Sequence, residues 1–382
     1  MKIINLSSIA NPISISVQNP SRSDYDRFIG LEHYDSGEPV ITRFQGTELL
    51  TTSAKAFKAN DILIARRNVY LKRAGIVFFD GITSGDSIIL RLKEDTQKTI
   101  GYSREDLIRY IPFMLNSEHF WIYANKHADG MNSKRISKDT LLEYEFELPS
   151  IDEMRDISDK LWAAYRLKEA YKKLLVTTDE MVKSQFIEMY YNTHNKQTLE
   201  SVCPIMNKGI TPKYVESSSV LVINQACIHW DGQRLGNIKY HNEEIPVRKR
   251  ILESGDVLLN ATGNGTLGRC CVFICPSDNN TYINDGHVIA LSTDRAVILP
   301  EVLNTYLSLN DTQAEIYRQY VTGSTNQVDI VFSDIKKMKV PVPSMDEQIL
   351  FVEVLTQADK SEFELRKSIE AIDQVIKSLI NN

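Results

Sequence analysis

The apolar positions along this chain follow two periods, and the sequence passes from one to the other twice. Short apolar runs broken by Gly, Asn, Asp and Ser come first: NDILIARR (Asn60 to Arg67), AGIVFF (Ala74 to Phe79) and SIILRL (Ser87 to Leu92). The same texture returns in VLVINQ (Val220 to Gln225), GDVLLNAT (Gly255 to Thr262) and HVIALS (His287 to Ser292). Such runs predict strands. Two segments with apolar residues at helical spacing interrupt them, Arg104 to Asn125 and Pro300 to Tyr320. The globular portions are therefore α/β or α+β, and α+β is the class expected of them.

Each set of strands ends in a long amphipathic helix. Both helices open alike, with Pro149-Ser150-Ile151-Asp152-Glu153 and Pro343-Ser344-Met345-Asp346-Glu347. Ser150 and Ser344 suit N-caps, and Glu153 and Glu347 stand three residues on, as a capping box requires. In the first helix Met154, Ile157, Leu161, Ala164, Leu167 and Tyr171 begin a stripe that runs on to Val182, Phe186 and Met189. In the second, Ile349, Val352, Leu355, Leu365, Ile369, Ile372, Ile376 and Leu379 form another, weakest at Asp359 and Glu362. Neither helix contains Gly or Pro. At 1.5 Å per residue each is roughly 55–60 Å long, more than one domain core needs. So narrow a stripe calls for a partner helix.

That partner is the other copy, because the chain is an internal repeat. NDILIARR is echoed by GDVLLNAT, Gly75 by Gly268, ISKD (Ile136 to Asp139) by VFSD (Val331 to Asp334), and FELPSIDEM (Phe146 to Met154) by VPVPSMDEQ (Val340 to Gln348). The landmarks keep one order at one offset of about 193 to 195 positions, half the chain. The expected architecture is a first domain at 1–149, a helix at 150–192, a second domain at 193–343 and a helix at 344–382. A pseudo two-fold axis would pair the helices as an antiparallel coiled coil and hold the domains apart.

Charge changes the picture only after it is divided along the chain. The net charge is −6, which by itself argues against a polyanionic partner. Yet Ile151 to Asn192 holds eight acidic and seven basic residues, and Met345 onward eight and four, so the helices carry −5 of that total. The remaining domains are near neutral, with basic clusters at Arg66–Arg67, Lys72–Arg73, Lys134–Arg135, Arg248–Lys249–Arg250 and Lys336–Lys337. Nucleic acid is not excluded. No stretch approaches the roughly 18 apolar residues of a membrane span, and no signal-peptide core forms at the start. A cytoplasmic protein is expected.

Catalytic motifs are scarce. Gly263-Asn264-Gly265-Thr266-Leu267-Gly268 spells G-x-G-x-x-G, but a dinucleotide loop must open a helix, and here the strand-like RCCVFICP follows. A turn is the simpler reading. Of the five cysteines, Cys203, Cys227, Cys270, Cys271 and Cys275, only Cys271 and Cys275 have a zinc-ligand spacing, and with no second ligand pair to match it all five read as reduced core thiols. There is no phosphate loop, no H-E-x-x-H, no G-x-S-x-G and no Asn/Asp-Pro-Pro-Tyr. The seven histidines are scattered. No active site and no metal site is expected.

The repeat, the helices and the Pro-Ser-x-Asp-Glu openings resemble the specificity (S) subunit of type I restriction-modification enzymes. Gly323-Ser324-Thr325, followed by DIVFSDIKKMKVPVPSMDEQ, matches that family's domain ending closely. The first copy departs from it, with Gly130-Met131-Asn132-Ser133, a single Pro149, and Met154 in place of Gln348. The resemblance implies a non-catalytic, DNA-binding subunit with two target-recognition domains that read a bipartite, asymmetric double-stranded site. It implies two methyltransferase (M) subunits docked through the helices and restriction (R) subunits in the full complex. S-adenosylmethionine and ATP with Mg would belong to those partners.

The residue chemistry selects where such contacts would lie. Arg66, Arg67, Asn68, Tyr70, Lys72 and Arg73 place a basic cluster and an aromatic directly after a strand, fit to hold phosphates and reach base edges. Lys134 and Arg135 come next. The matching positions of the second domain are Asn260, Thr262, Asn264, Thr266 and Arg269, joined by Ser324, Thr325, Asn326 and Gln327. Two other readings compete: a coiled-coil scaffold without DNA binding, and a nucleotide-dependent enzyme using the glycine motif.

Overall fold

The run Ile62–Ala65 is apolar at every position because the strand it forms is covered on both faces. Ile62 and Ile64 point into one hydrophobic cluster, Leu63 and Ala65 into another, and all four are buried. The neighbouring strand Ser87–Leu92 divides likewise, Ile88 and Leu90 to one side and Ile89 to the other. Successive side chains of a strand alternate between faces, so a doubly covered strand needs apolar residues throughout. Each such side chain contributes about 2 kcal/mol relative to exposure.

The computed structural model describes residues 2–131, 133–188, 193–324 and 327–381, without the side chains of Ser324 and Gln327. It comprises two compact units, Met1–Lys173 with Leu365–Asn382, and Leu174–Glu364. In the first, an antiparallel sheet has the order Ala10–Ile13, Ser87–Leu92, Ile62–Ala65, Ala74–Ile76. One face packs against helices Arg104–Met114 and Glu118–Lys126 and the start of the long helix Ile151–Phe186. The other meets a smaller sheet ordered Ile15–Val17, Ala54–Phe57, Gly81–Thr83, Phe28–Ile29, whose last pair is parallel. Lys2–Asn5 pairs with Glu145–Leu148 and closes the unit.

The second unit repeats the first sheet with the same order, Ile205–Lys208, Val288–Ser292, Val257–Asn260, Cys270–Val272. Val257 and Leu259 face the helices Pro300–Ser308 and Asn310–Gln319, and Leu258 faces the opposite cluster. Its smaller sheet is rearranged: Tyr214–Val215, Lys239–His241, Val220–Ile223, Thr281–Asn284. Lys196–Thr198 pairs with Lys339–Pro341 as the closing ribbon. The mixed helix-and-sheet class expected from the sequence is present. Each helical segment, however, is two helices rather than one. Pro112 lacks an N–H, Asn116 donates to the Pro112 carbonyl, and Ser117 caps a new helix by accepting from Phe120 N.

Local bonds explain why particular residues recur. Asn60 (φ 68°) and Gly255 (φ 95°) both occupy left-handed backbone, which only Gly and Asn adopt readily. The following aspartates, Asp61 and Asp256, accept the N–H three residues back, from Lys58 and Glu253. The repeated Asn/Gly-Asp pair is thus a turn that launches the central strand. Both capping boxes form as expected: Ser150 N donates to Glu153 Oε2 (3.0 Å) and Ser344 N to Glu347 Oε2 (2.9 Å). The hydroxyls of both serines donate to the same carboxylates, which are held below the ordinary carboxylate range.

One position beyond the caps the copies diverge for a physical reason. Gln348 is fully buried, accepts from Leu299 N (2.8 Å) and donates to the Val297 and Pro343 carbonyls, anchoring the start of helix Pro300–Ser308. The equivalent helix Arg104–Met114 carries its own cap in Ser103, which accepts from Asp106 N. Nothing there requires an amide, and Met154 fills the space as a buried apolar residue.

Within the first unit the two long helices, Ile151–Phe186 and Met345–Asn381, share an ion cluster built around the buried Lys168. Lys168 Nζ lies 2.7 Å from Glu38 Oε1 and 2.5 Å from Asp373 Oδ1, and Lys172 Nζ is 3.0 Å from the same Glu38 oxygen. Ile376 joins Leu161 and Tyr165 in the adjoining core. In the second unit Phe186 and Phe351 make an edge contact at 5.2 Å. Removing Lys168 takes away the buried charge that Glu38 and Asp373 share, leaving Glu38 with Lys172 alone. Lys168→Ala should therefore lower stability by about 3 kcal/mol in urea unfolding. A loss below about 0.5 kcal/mol, the range of exposed pairs, would show that the cluster adds nothing to the fold.

Candidate nucleic-acid interface

The first candidate cluster is the loop of a β-hairpin. Ala65 N donates to Arg73 O (3.0 Å) across its root, and residues 66–73 project beyond. The loop is gripped at its first residue from two sides: Arg66 N donates to Asp86 O (2.9 Å), and Ile136 N donates to Arg66 O (3.0 Å). Asn68 N donates to Lys134 O (2.8 Å), while Asp129 and Arg135 exchange backbone bonds. Lys134 and Arg135, more than sixty residues away in sequence, thus join the loop. Arg67 Nε donates to Ser133 Oγ (2.8 Å), and that hydroxyl donates to Asn68 Oδ1 (3.1 Å).

The six hairpin residues are not equivalent. Tyr70 and Lys72 are exposed, as is Lys134, and Asn68 and Lys72 hold left-handed backbone that bends the loop tightly. Arg73 turns inward, donating to the Leu31 and Arg67 carbonyls, and burial pulls its pKa below the usual guanidinium value. It braces the loop. Arg66 is half-buried. Beside it Lys55 donates to the Gly85 and Ser87 carbonyls; burial, then the Arg66 charge, lowers its pKa against the opposing pull of Asp86.

The second unit builds the same ledge with other chemistry. Asn260 N donates to Arg269 O, Ala261 N to His287 O and Ile330 N to Ala261 O, each at 2.8 Å. These are the counterparts of the three bonds at Ala65, Arg66 and Ile136. They also correct the sequence correspondence: Ile136 matches Ile330, one residue before the Val331 suggested by motif. The glycine motif is the hairpin turn, with Gly263, Gly265 and Gly268 at φ 97°, 80° and 85°, leading into strand Cys270–Val272. No helix follows to receive a pyrophosphate.

Asn260 lies in the interior, where its amide donates to Gln225 O (3.2 Å), so it holds the loop rather than facing outward. Gln225 also organises the hydroxyls. Thr266 Oγ1 is 2.9 Å from its Oε1, and its Nε2 reaches Thr262 Oγ1 at 3.4 Å. Thr262 Oγ1 also meets His287 Nδ1 at 2.9 Å. Asn264 is exposed and Arg269 half-buried. The hairpin Val321–Ser324 and Gln327–Ile330 comes alongside through a backbone bridge between Thr262 and Asp329, whose carboxylate binds Lys208 (2.8 Å). Thr325 and Asn326 lie outside the described residues, as do the side chains of Ser324 and Gln327.

Sequence reasoning missed Asp86, His287, Gln225 and Lys55. Asp86 and His287 stand immediately before or at the start of runs visible as strands, yet their partners lie about twenty to fifty residues away. Elsewhere the chemistry is quiet. Cys203, Cys227, Cys270 and Cys271 are buried free thiols, with burial pushing Cys203 and Cys271 up to about 12. Among the described residues, no three His, Cys, Asp or Glu side chains gather as a metal site. No helix among them is long and apolar enough to cross a membrane.

Residues 195–374 match the family model described as the type I restriction modification DNA specificity domain. Two solved structures have the same fold over nearly the whole chain. One, from a study of complex assembly and conformational transition of the type I R-M system, has a TM-score of 0.58 at 14% identity, covering 99% of this chain and 96% of that one. The other, the type I restriction-modification S subunit from M. genitalium, has a TM-score of 0.52 at 12% identity, covering 99% and 94%. Among curated proteins no sequence matches the chain significantly.

The Gln225 network makes a local prediction. Gln225→Ala removes the one side chain that Thr262 and Thr266 share as a partner, leaving Thr262 its bond to His287 and Thr266 its bond to the Thr262 carbonyl. Amide hydrogen exchange across residues 261–269 should then accelerate about tenfold, while strand Val288–Ser292 stays protected. Unchanged exchange in the loop would mean that Gln225 does not hold it.

Proposed function

We propose that the chain belongs to the type I restriction-modification DNA specificity family, whose domain model matches residues 195–374, and that it reads a bipartite, asymmetric DNA sequence, one half-site per domain. The observation that carries this reading is the repeated ledge. The same three backbone bonds present the same loop in both units, but one loop is rich in Arg and Lys and the other in Thr, Asn and Gly. One scaffold with two surface chemistries suits two unlike half-sites. We take 1–149 and 193–343 as the reading domains.

The long helices form an antiparallel coiled coil with pseudo two-fold symmetry in this reading. Lys168 meets Asp373 and Phe186 meets Phe351, an order that rises on one helix and falls on the other. The helical region docks methyltransferase subunits, with restriction subunits completing the complex, as the relative from a type I R-M assembly suggests. S-adenosylmethionine and ATP with Mg act in those partners, this chain itself being non-catalytic and cytoplasmic.

Lys72 and Lys134 are exposed on the first ledge and suited to phosphate oxygens. Reversing both, Lys72→Glu with Lys134→Glu, should weaken binding of the full chain to DNA uniformly across sequences. The slope of log K against log salt should fall by about two. A coiled-coil scaffold without nucleic-acid binding would show neither the salt-dependent affinity nor any response to the reversal.

A further inference from the structure

Asp86 sits between two arginines of the first ledge, and its geometry differs from that of the buried Arg91–Asp61 pair. Arg67 NH1 lies 3.8 Å from one carboxylate oxygen and Arg135 NH2 lies 3.5 Å from the other. Both arginine side chains are nearly half exposed, at 45% and 49%, against 30% for Asp86. By contrast Arg91 grips buried Asp61 through two bonds of 2.7 Å, and its donors are consumed by the fold. A charge-assisted pair closes to about 2.7–2.9 Å when it is made for its own sake. Asp86 thus lies within ion-pair reach of two half-exposed guanidinium groups without closing on either. Ser133 fixes the rotation of Arg67 through its Nε, and the Asp86 carbonyl fixes the loop root at Arg66.

We infer that Asp86 is a positioning residue that sets Arg67 and Arg135 as a pair for reading guanine edges in the first half-site. The inference rests on the DNA reading proposed above and adds what that half-site contains. A carboxylate between two arginines repels a phosphate and lowers the positive potential, so the arrangement is poorly made for gripping backbone. It is well made for a neutral base edge. Guanine offers two acceptors, O6 and N7, to the fork of an arginine, the commonest specific contact in the major groove. Lys72 and Lys134, with no side-chain partner among the described residues, remain for phosphates. The second unit uses the same slot differently: His287, whose carbonyl holds Ala261, bonds Thr262, the counterpart of Arg67. The slot positions whichever side chain its own loop supplies.

The test is selection of the full chain on duplexes randomised over both half-sites, followed by sequencing of the bound pool. Wild type should enrich guanine in the half-site of the first unit. Arg67→Lys and Arg135→Lys keep the charge but lose the fork, and each should relax one of those positions about tenfold with the salt slope unchanged. Asp86→Asn should relax both positions while raising affinity for random DNA, because it removes a negative charge. A merely structural aspartate would lower both specificity and affinity. The half-site that responds to Thr262→Val serves as the internal check on folding, and its preference should not move. If Asp86→Asn keeps the guanine preferences, or the lysine variants do, the assignment is overturned while bipartite reading stands. If wild type enriches no sequence, both readings fall together.

Discussion

Everything at the ledge of each unit depends on one strand being buried on both of its faces. Ile62–Ala65 and Val257–Asn260 cannot slip by a residue without exchanging the contents of two hydrophobic clusters, so their register is pinned. The hairpin loop that each strand feeds therefore leaves the core from a fixed point. The residue at that point is clamped by a carbonyl from the neighbouring strand's approach and by an N–H from the segment after the helices. Position is set by the interior, and the loop is left free to vary in chemistry.

That separation explains how one architecture carries two surfaces. The bonds common to both units are made by backbone groups, indifferent to which side chain stands at Arg66 or Ala261. The side chains differ completely: arginines around Asp86 in one unit, hydroxyls around Gln225 and His287 in the other. The same logic applies at Met154 and Gln348, where helix capping by Ser103 in one unit makes the buried amide of the other unnecessary. Divergence between the copies follows local hydrogen-bond needs.

Much of this was legible in the order of residues. The repeat, the capping boxes at Ser150 and Ser344, the strand character of the doubly covered runs and the turn at Gly263 to Gly268 all depend on neighbours within a few positions. The breaks at Ser117 and Leu309 were less visible, since a helical period persists across them, a proline and the Ser117 cap marking the first and no capping side chain marking the second. Of the smaller sheets only Val220–Ile223 stood out as a strand, and their rearranged order could not be read. Others, such as Phe28–Ile29 and Tyr214–Val215, are two residues long and carry no period.

By itself the sequence determined the duplication, the mixed architecture, the two long helices and the stretch of chain on which each surface would be built, because these rest on periodicity and on bonds between near neighbours. Only the tertiary structure decided which of those residues act together. It turned Arg73 and Asn260 inward, joined Arg135 to Arg67 across Asp86, and set His287 against Thr262. Those outcomes depend on contacts between residues tens of positions apart, which packing of the buried strand creates and which no local pattern encodes.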